Sequence, residues 1–168
     1  LSPVHGELLG DLVVDARGPK TPVITVKLKA ADIALGELLA TADGKAPIEG
    51  PLTIDIDLQG RGSSIAEILG GLNGHVKLLA EQGTADARAL EALDLFVGGL
   101  SAMVGTIFTD ESSRTAIHCA VCELKFDQGL MTSELAVLDT QYSTVFLEGN
   151  ANFESEQLDL KVSPEAKG

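Results

Sequence analysis

Apolar and polar residues alternate along most of this chain, most clearly in its last third, residues 117–164. Segment 143–153 shows the pattern well, with Val145, Leu147, Ala151 and Phe153 on one face and Thr144, Glu148, Asn150 and Asn152 on the other. A period of two residues is typical of a β-strand that has one apolar and one wet face. The pattern predicts strands that together present an apolar sheet surface, which favours binding or scaffolding as the function.

The same alternation predicts strands elsewhere in the chain, at 8–16, 24–30, 52–58, 75–81 and 156–163. In 52–58 the apolar residues are Leu52, Ile54, Ile56 and Leu58, opposed by Thr53, Asp55 and Asp57. Two of these segments are followed by glycine-containing turn signals, Arg17-Gly18 and Gly60-Arg61-Gly62. Antiparallel strands joined by turns are therefore expected in both halves of the chain.

Two short helices are predicted after strands. Asp32 can N-cap a helix over 33–39, and Ser64 with Glu67 three residues later forms a capping-box pattern for a helix over 65–69. The two strand–helix units lie about 32 residues apart, which indicates a weak internal repeat and a repetitive β array.

A longer helix is predicted at about 86–108, with Thr84 as a candidate cap. Its part from Leu95 to Phe108 carries no charge, but it is too short to span a bilayer, which takes about 20 residues. One interpretation is a core helix that lies across the sheet. The other is a mobile helix that contacts an apolar ligand or a neighbouring domain through Phe96, Met103 and Phe108.

These elements predict a mainly β fold with a few helices. We expect a curved, twisted antiparallel sheet whose apolar concave face is partly covered by two or three helices. The chain has 168 residues, of which 45% are hydrophobic, so it is long enough for one domain, residues 1–168, with a real core.

The net charge of −13 excludes some classes of binding partner. Nucleic-acid binding needs clustered Lys and Arg, and so does electrostatic docking on anionic lipid, whereas this chain has 25 acidic and only 12 basic residues. Apolar lipid tails stay open as ligands, because their burial does not depend on positive charge.

The chain shows neither a signal peptide nor an uncharged apolar run long enough to cross a membrane. It begins at Leu1 without a methionine. We therefore expect a fragment or processed product of a longer protein, with any membrane anchor elsewhere in that protein.

The most conspicuous chemical motif is His118-Cys119-Ala-Val-Cys122. A c-type haem site requires the His after the second Cys, a zinc site requires four ligands, and a thioredoxin-like pair requires a helix N-terminus. These cysteines lie in a predicted strand that turns them to opposite faces, roughly 10 Å apart along the chain. A disulfide requires Cα atoms within about 7 Å. Free thiols are predicted, and only a bulge or tight turn would allow the alternative of a disulfide.

Other candidate chemistry is sparse. Asp55 and Asp57 fall on a polar strand face, the pair Asp110 and Glu111 lies in a loop, and the segment at Gly60 lacks the lysine of a P-loop. His5 and His75 are isolated. We expect neither an enzyme nor a cofactor or metal site.

Several segments resemble the AsmA-like family of AsmA/TamB-related proteins. They are L-Q-G-R-G-S-S-I-A-E-I-L-G-G-L-N-G-H-V at 58–76, I-H-C-A-V-C-E-L-K-F-D-Q-G at 117–129, and the stretches 138–140, 145–153 and 156–164. The resemblance covers about 30–164, and its later segments are similar to the C-terminal region of the family. Its motifs are glycine and apolar patterns, which indicate backbone geometry. The resemblance implies that residues 1–168 form the C-terminal domain of a longer AsmA-like protein.

The resemblance implies a periplasmic location in Gram-negative bacteria, with the full-length protein anchored in the inner membrane. It further implies a role in outer-membrane assembly and envelope lipid homeostasis, including phospholipid transfer along an apolar β-groove. Phospholipid and other domains of the same protein are then the expected partners. The alternative is a structural or chaperone-like module that binds a partner strand at a sheet edge.

Overall fold

The fold is taken from a computed structural model, which describes residues 7–18, 21–40, 44, 46–89 and 114–168. The helices are α1 (Leu35–Leu39) and α2 (Ile65–Gly70), and residues 87–89 are also helical. The strands are β1 (Glu7–Asp15), β2 (Val23–Ala34), β3 (Ile48–Glu49), β4 (Pro51–Arg61), β5 (Asn73–Asp86), β6 (Arg114–Asp127), β7 (Leu130–Thr140), β8 (Ser143–Asn152) and β9 (Gln157–Ala166).

All of these strands belong to one open antiparallel sheet, and the mainly β fold is confirmed. The order across the sheet is β1-β2-β4-β5-β6-β7-β8-β9, which follows the order of the chain. The short β3 precedes β4 and also pairs with β5, at a register displaced by one residue. Gly50 permits this irregularity, because its φ is +135° and a Cβ there would lie 2.9 Å from the carbonyl oxygen of Gln82.

The register aligns apolar residues into rows that cross the sheet. One row joins Leu28, Ile56, Val76 and Leu124, each directly opposite the next. The adjacent row on the opposite face joins Lys27, Asp57, His75 and Lys125. Side chains therefore alternate between one apolar and one polar face, as the sequence pattern predicts.

The sheet curves around its apolar face. In a flat sheet β4 and β8 would lie roughly 19 Å apart, since neighbouring strands are about 4.8 Å apart. The six-residue helix α2 nevertheless contacts both regions, with Ile68 against Gly60 of β4 and Gly70 against Glu154 beyond β8. The apolar face is therefore concave.

The buried core lies at one end of this face. It contains Ala85, Ala87, Ala89, Ile117 and Val145. Ile48, Ala120, Leu138 and Val162 pack against this cluster. The helical residues 87–89 thus lie over the end of the apolar face where β5 ends and β6 begins.

Two predicted helix boundaries are wrong. Asp32 does not cap a helix, since it lies inside β2 with φ of +54°, at an irregularity where the pairing with β4 jumps from Ala30 to Ile33. The N-cap of α1 is Ala34, which makes no side-chain capping bond. Thr84 and Asp86 belong to the end of β5, so Thr84 is not a helix cap, and the described helical residues, 87–89, come only after Asp86. In both places strand pairing continues past the point where the local pattern predicts a helix.

Both cysteines are free, as predicted. Cys122 pairs with Leu78 on the apolar face, whereas Cys119 pairs with Glu81 on the polar face. Burial raises the pKa of the Cys122 thiol, because an apolar environment disfavours the thiolate. This raised pKa makes Cys122 a weaker nucleophile at neutral pH.

Candidate functional site

The candidate site is the concave apolar face, called the groove below. The residues of its central row, Leu28, Ile56, Val76 and Leu124, are all partly exposed. A continuous exposed apolar surface of this extent is characteristic of an interaction site. The groove runs along strands such as β4, whose 11 residues span roughly 36 Å at about 3.3 Å per residue.

Helix α2 covers one end of the groove, where β4 ends. Its N-terminus is capped by Ser64, whose Oγ accepts a hydrogen bond from the Glu67 amide at 3.2 Å. The Glu67 carboxylate accepts a bond from the Ser63 amide at 2.7 Å, one residue earlier than in a strict capping box. The helix predicted over 65–69 is thus confirmed, with a modified cap.

Glycines allow α2 to lie directly on the sheet. A Cβ at Gly60 would come within 2.6 Å of Ile68 Cγ2, and one at Gly62 would come within 2.5 Å of Glu67 Cβ. Gly129, in the β6–β7 turn, contacts the backbone of Gly70. Gly60 and Gly62 therefore allow close packing of α2 against β4, and Gly129 allows the β6–β7 turn to approach the end of α2.

Backbone hydrogen bonds tie three turns together beneath α2. The Gly129 amide donates to Leu72 O at 3.0 Å, and the Phe153 amide donates to Gly129 O at 2.9 Å. Asn73 Oδ1 accepts from the Gln128 amide at 3.0 Å. Phe126 and Phe153 stack with ring centroids 6.2 Å apart. This end of the groove is consequently preorganised.

An ion-pair cluster fixes the other end. Arg88 Nη2 lies 2.6 Å from Asp86 Oδ2, and Arg114 Nη1 lies 3.4 Å from the same oxygen. Arg114 also donates to the carbonyl oxygen of Ala46 at 2.9 Å. Burial acts to raise the pKa of Asp86, but the hydrogen bonds and charge of Arg88, with the charge of Arg114, outweigh it and lower that pKa. The cluster joins β5, β6 and the helical residue Arg88 around an ionised carboxylate.

Comparison with known proteins identifies the family of this chain. The AsmA family model matches residues 4–136, which is most of the chain. The chain belongs to the AsmA family. It is 33% identical over 156 residues to the AsmA family protein YhjG of Escherichia coli K12. That match covers 92% of this chain but only 22% of the relative. No solved structure matches the chain significantly.

The AsmA chain has a second polar cluster, on the outer face, which the sequence pattern did not reveal. Asp139 Oδ1 lies 2.6 Å from Lys167 Nζ, Thr144 Oγ1 donates to Asp139 at 2.7 Å, and His118 Nδ1 lies 3.2 Å away. Hydrogen bonds from Lys167 and Thr144 lower the pKa of Asp139 to about 2. Lys167 also donates to Thr140 O at 2.7 Å, so the cluster attaches the end of the chain to β7.

The residues predicted to contact a ligand, Phe96, Met103 and Phe108, lie outside the described residues, as do Asp110, Glu111 and His5. Asp55 and Asp57 lie on the polar face, where Asp55 is 3.4 Å from His75. Within the described ranges, no three His, Cys, Asp or Glu side chains converge as metal ligands do. Across those same ranges, no helix has the length and apolar character needed to cross a membrane.

Proposed function

We propose that this AsmA-family chain is a non-enzymatic periplasmic module for envelope lipid homeostasis, and that its groove holds the acyl chains of phospholipids. The supporting observation is the row of partly exposed aliphatic side chains across a concave sheet whose ends are covered by helical segments. Family membership supports the envelope and outer-membrane assembly part of the proposal. The proposal includes an inner-membrane anchor for the full-length protein.

The energetics favour this use of the groove. Transfer of each CH₂ group out of water lowers the free energy by about 0.8 kcal/mol. An acyl chain that buries several CH₂ groups in the groove is therefore stabilised by several kcal/mol. The groove is also long enough for an acyl chain. A bilayer core is about 30 Å thick, so the acyl chain of one leaflet spans about half of that, whereas β4 spans roughly 36 Å. The polar outer face, with residues such as Lys27 and Asp57, keeps contact with water.

Making the central row polar should weaken lipid binding. The variant Leu28→Thr/Ile56→Thr/Val76→Thr has β-branched threonines, which suit strands, at all three positions, but it places three hydroxyl groups in the groove. We expect about tenfold less photo-crosslinking to a phospholipid with a diazirine in its acyl chain. The measurement is made on the folded 168-residue chain, with folding verified by circular dichroism.

The matched control changes the neighbouring row on the opposite face, Lys27→Thr/Asp57→Thr/His75→Thr. This variant should crosslink phospholipid as well as wild type does. Equal crosslinking by wild type and by the groove variant would remove the groove from the mechanism.

A second candidate function rests on the β1 edge. Five large apolar residues of β1 are between 54% and 69% exposed: Leu8, Leu9, Leu12, Val13 and Val14. They occupy both faces of a strand that ends the order of described strands. Such an edge suits the addition of a partner strand through backbone hydrogen bonds. In that case cellular function would survive the groove variant, and disruption of β1 would abolish it.

A further inference from the structure

An apolar cleft separates α2 from the end of the β8–β9 hairpin. Its volume is about 400 Å³, and its apolar lining consists of Ile65, Ala66, Leu69, Ala151, Phe153 and Leu158. Ala151 and Leu158 pair with each other on the groove face of β8 and β9. The cleft, called the mouth below, is therefore continuous with the groove.

The mouth is open to solvent on its outer side. Ile65 is 76% exposed and Leu158 is 55% exposed, whereas Ala151 at the inner side is only 5% exposed. Exposing large apolar side chains to water to this extent costs free energy, which is recovered when an apolar partner covers them. Helix α2 packs closely against Gly60 and Gly62. The mouth is therefore open with the helix in this position, and α2 does not have to move to open it.

The connections around the mouth carry only negative charge. Segments 62–72, 127–130 and 152–157 contain no Lys or Arg, and their charged residues are Glu67, Asp127, Glu154 and Glu156. Arg61, which ends β4 directly before the first of these segments, does not line the cleft. None of these four carboxylates takes part in an ion pair with another residue that the structure describes. At the opposite end of the groove, Arg88 and Arg114 both pair with Asp86. The two ends therefore differ, because the carboxylates at the mouth have no described basic partner whereas Asp86 at the opposite end has two.

We propose that phospholipid acyl chains enter the groove through this mouth, and that its acidic rim selects zwitterionic headgroups that carry an ammonium over anionic ones. This inference rests on the proposed function. An acyl chain inserted past Ile65 and Leu158 leaves its headgroup at the rim, within a Debye length of about 8 to 10 Å of Glu154 and Glu156. An ammonium there is attracted by the carboxylates, whereas an anionic phosphodiester without an ammonium is repelled.

The test is a competition between two lipids. The folded chain is mixed with vesicles that contain equal amounts of phosphatidylethanolamine and phosphatidylglycerol, with identical acyl chains and a diazirine close to the glycerol. Mass spectrometry of the crosslinked peptides gives both the headgroup ratio and the position. We expect at least a threefold preference for phosphatidylethanolamine, with crosslinks in the peptides that contain residues 65–70 and 151–158.

Charge reversal at the rim supplies the decisive comparison. Glu154→Lys/Glu156→Lys should reverse the preference toward phosphatidylglycerol. Glu134→Lys/Glu165→Lys makes the same change in net charge away from the mouth, at exposed strand positions, and should leave the preference as in wild type.

The outcomes separate the two proposals. If neither lipid crosslinks, the proposed lipid function fails. If lipids crosslink without a headgroup preference, if both charge reversals shift the ratio equally, or if crosslinks fall near residues 114–117 instead, the function stands and the inference about the mouth is overturned.

Discussion

Replacing Gly60 by valine is expected to lower the free energy of unfolding by about 3 kcal/mol, which is the cost of severe overpacking at a fixed contact. A Cβ at this position would come within 2.6 Å of Ile68 Cγ2 and 3.0 Å of the Ile68 carbonyl oxygen. Either α2 moves off β4 or the strand distorts. Urea denaturation followed by circular dichroism measures the change, as a lower midpoint with a similar slope.

The control for this prediction is Gly70→Ala in the same helix. The nearest atom to a Cβ at Gly70 is 3.6 Å away, an ordinary van der Waals distance. Alanine also favours helix over glycine by up to about 1 kcal/mol. Gly70→Ala should therefore be neutral or slightly stabilising. Similar melts for Gly60→Val and wild type would show that α2 does not pack on β4.

Introducing a carboxylate on the groove face is expected to destabilise the sheet by about 3 kcal/mol. Leu147 faces the groove opposite Val162 and is partly buried, so Leu147→Asp places an unpaired charge on an apolar surface. The same urea titration measures this loss.

Thr132→Asp introduces the same charge on the polar face, as a matched control. Thr132 is exposed and stands opposite Lys125 in β6. We expect a change within about 0.5 kcal/mol, because surface substitutions that gain an opposite charge cost little. Equal destabilisation by the two substitutions would show that the faces are assigned wrongly.

The strands and their faces could be predicted from the sequence because alternation is a local signal. The separation of Cys119 from Cys122 and the helix at Ser64 follow from equally local patterns. The bulge at Asp32 could not be predicted, since it depends on how β2 pairs with β4. The end of β5 at Asp86 could not be predicted for the same reason. Asp86 still pairs with Arg114 of β6, although the local sequence pattern there resembles the start of a helix.

The groove itself depends on register. Leu28, Ile56 and Val76 meet in one row only because three strands pair at particular offsets. The mouth requires in addition that α2 approaches Glu154, far away in the sequence. Alternation predicts that each strand has an apolar face, but it does not predict which residues become neighbours across the sheet.

The most direct test of the central claim is native mass spectrometry of the purified 168-residue chain. The account predicts additional masses that correspond to bound phospholipid, and their loss in the variant Leu28→Thr/Ile56→Thr/Val76→Thr. A folded wild-type chain that carries no phospholipid, and takes none up from added vesicles, would contradict the claim that the groove holds acyl chains.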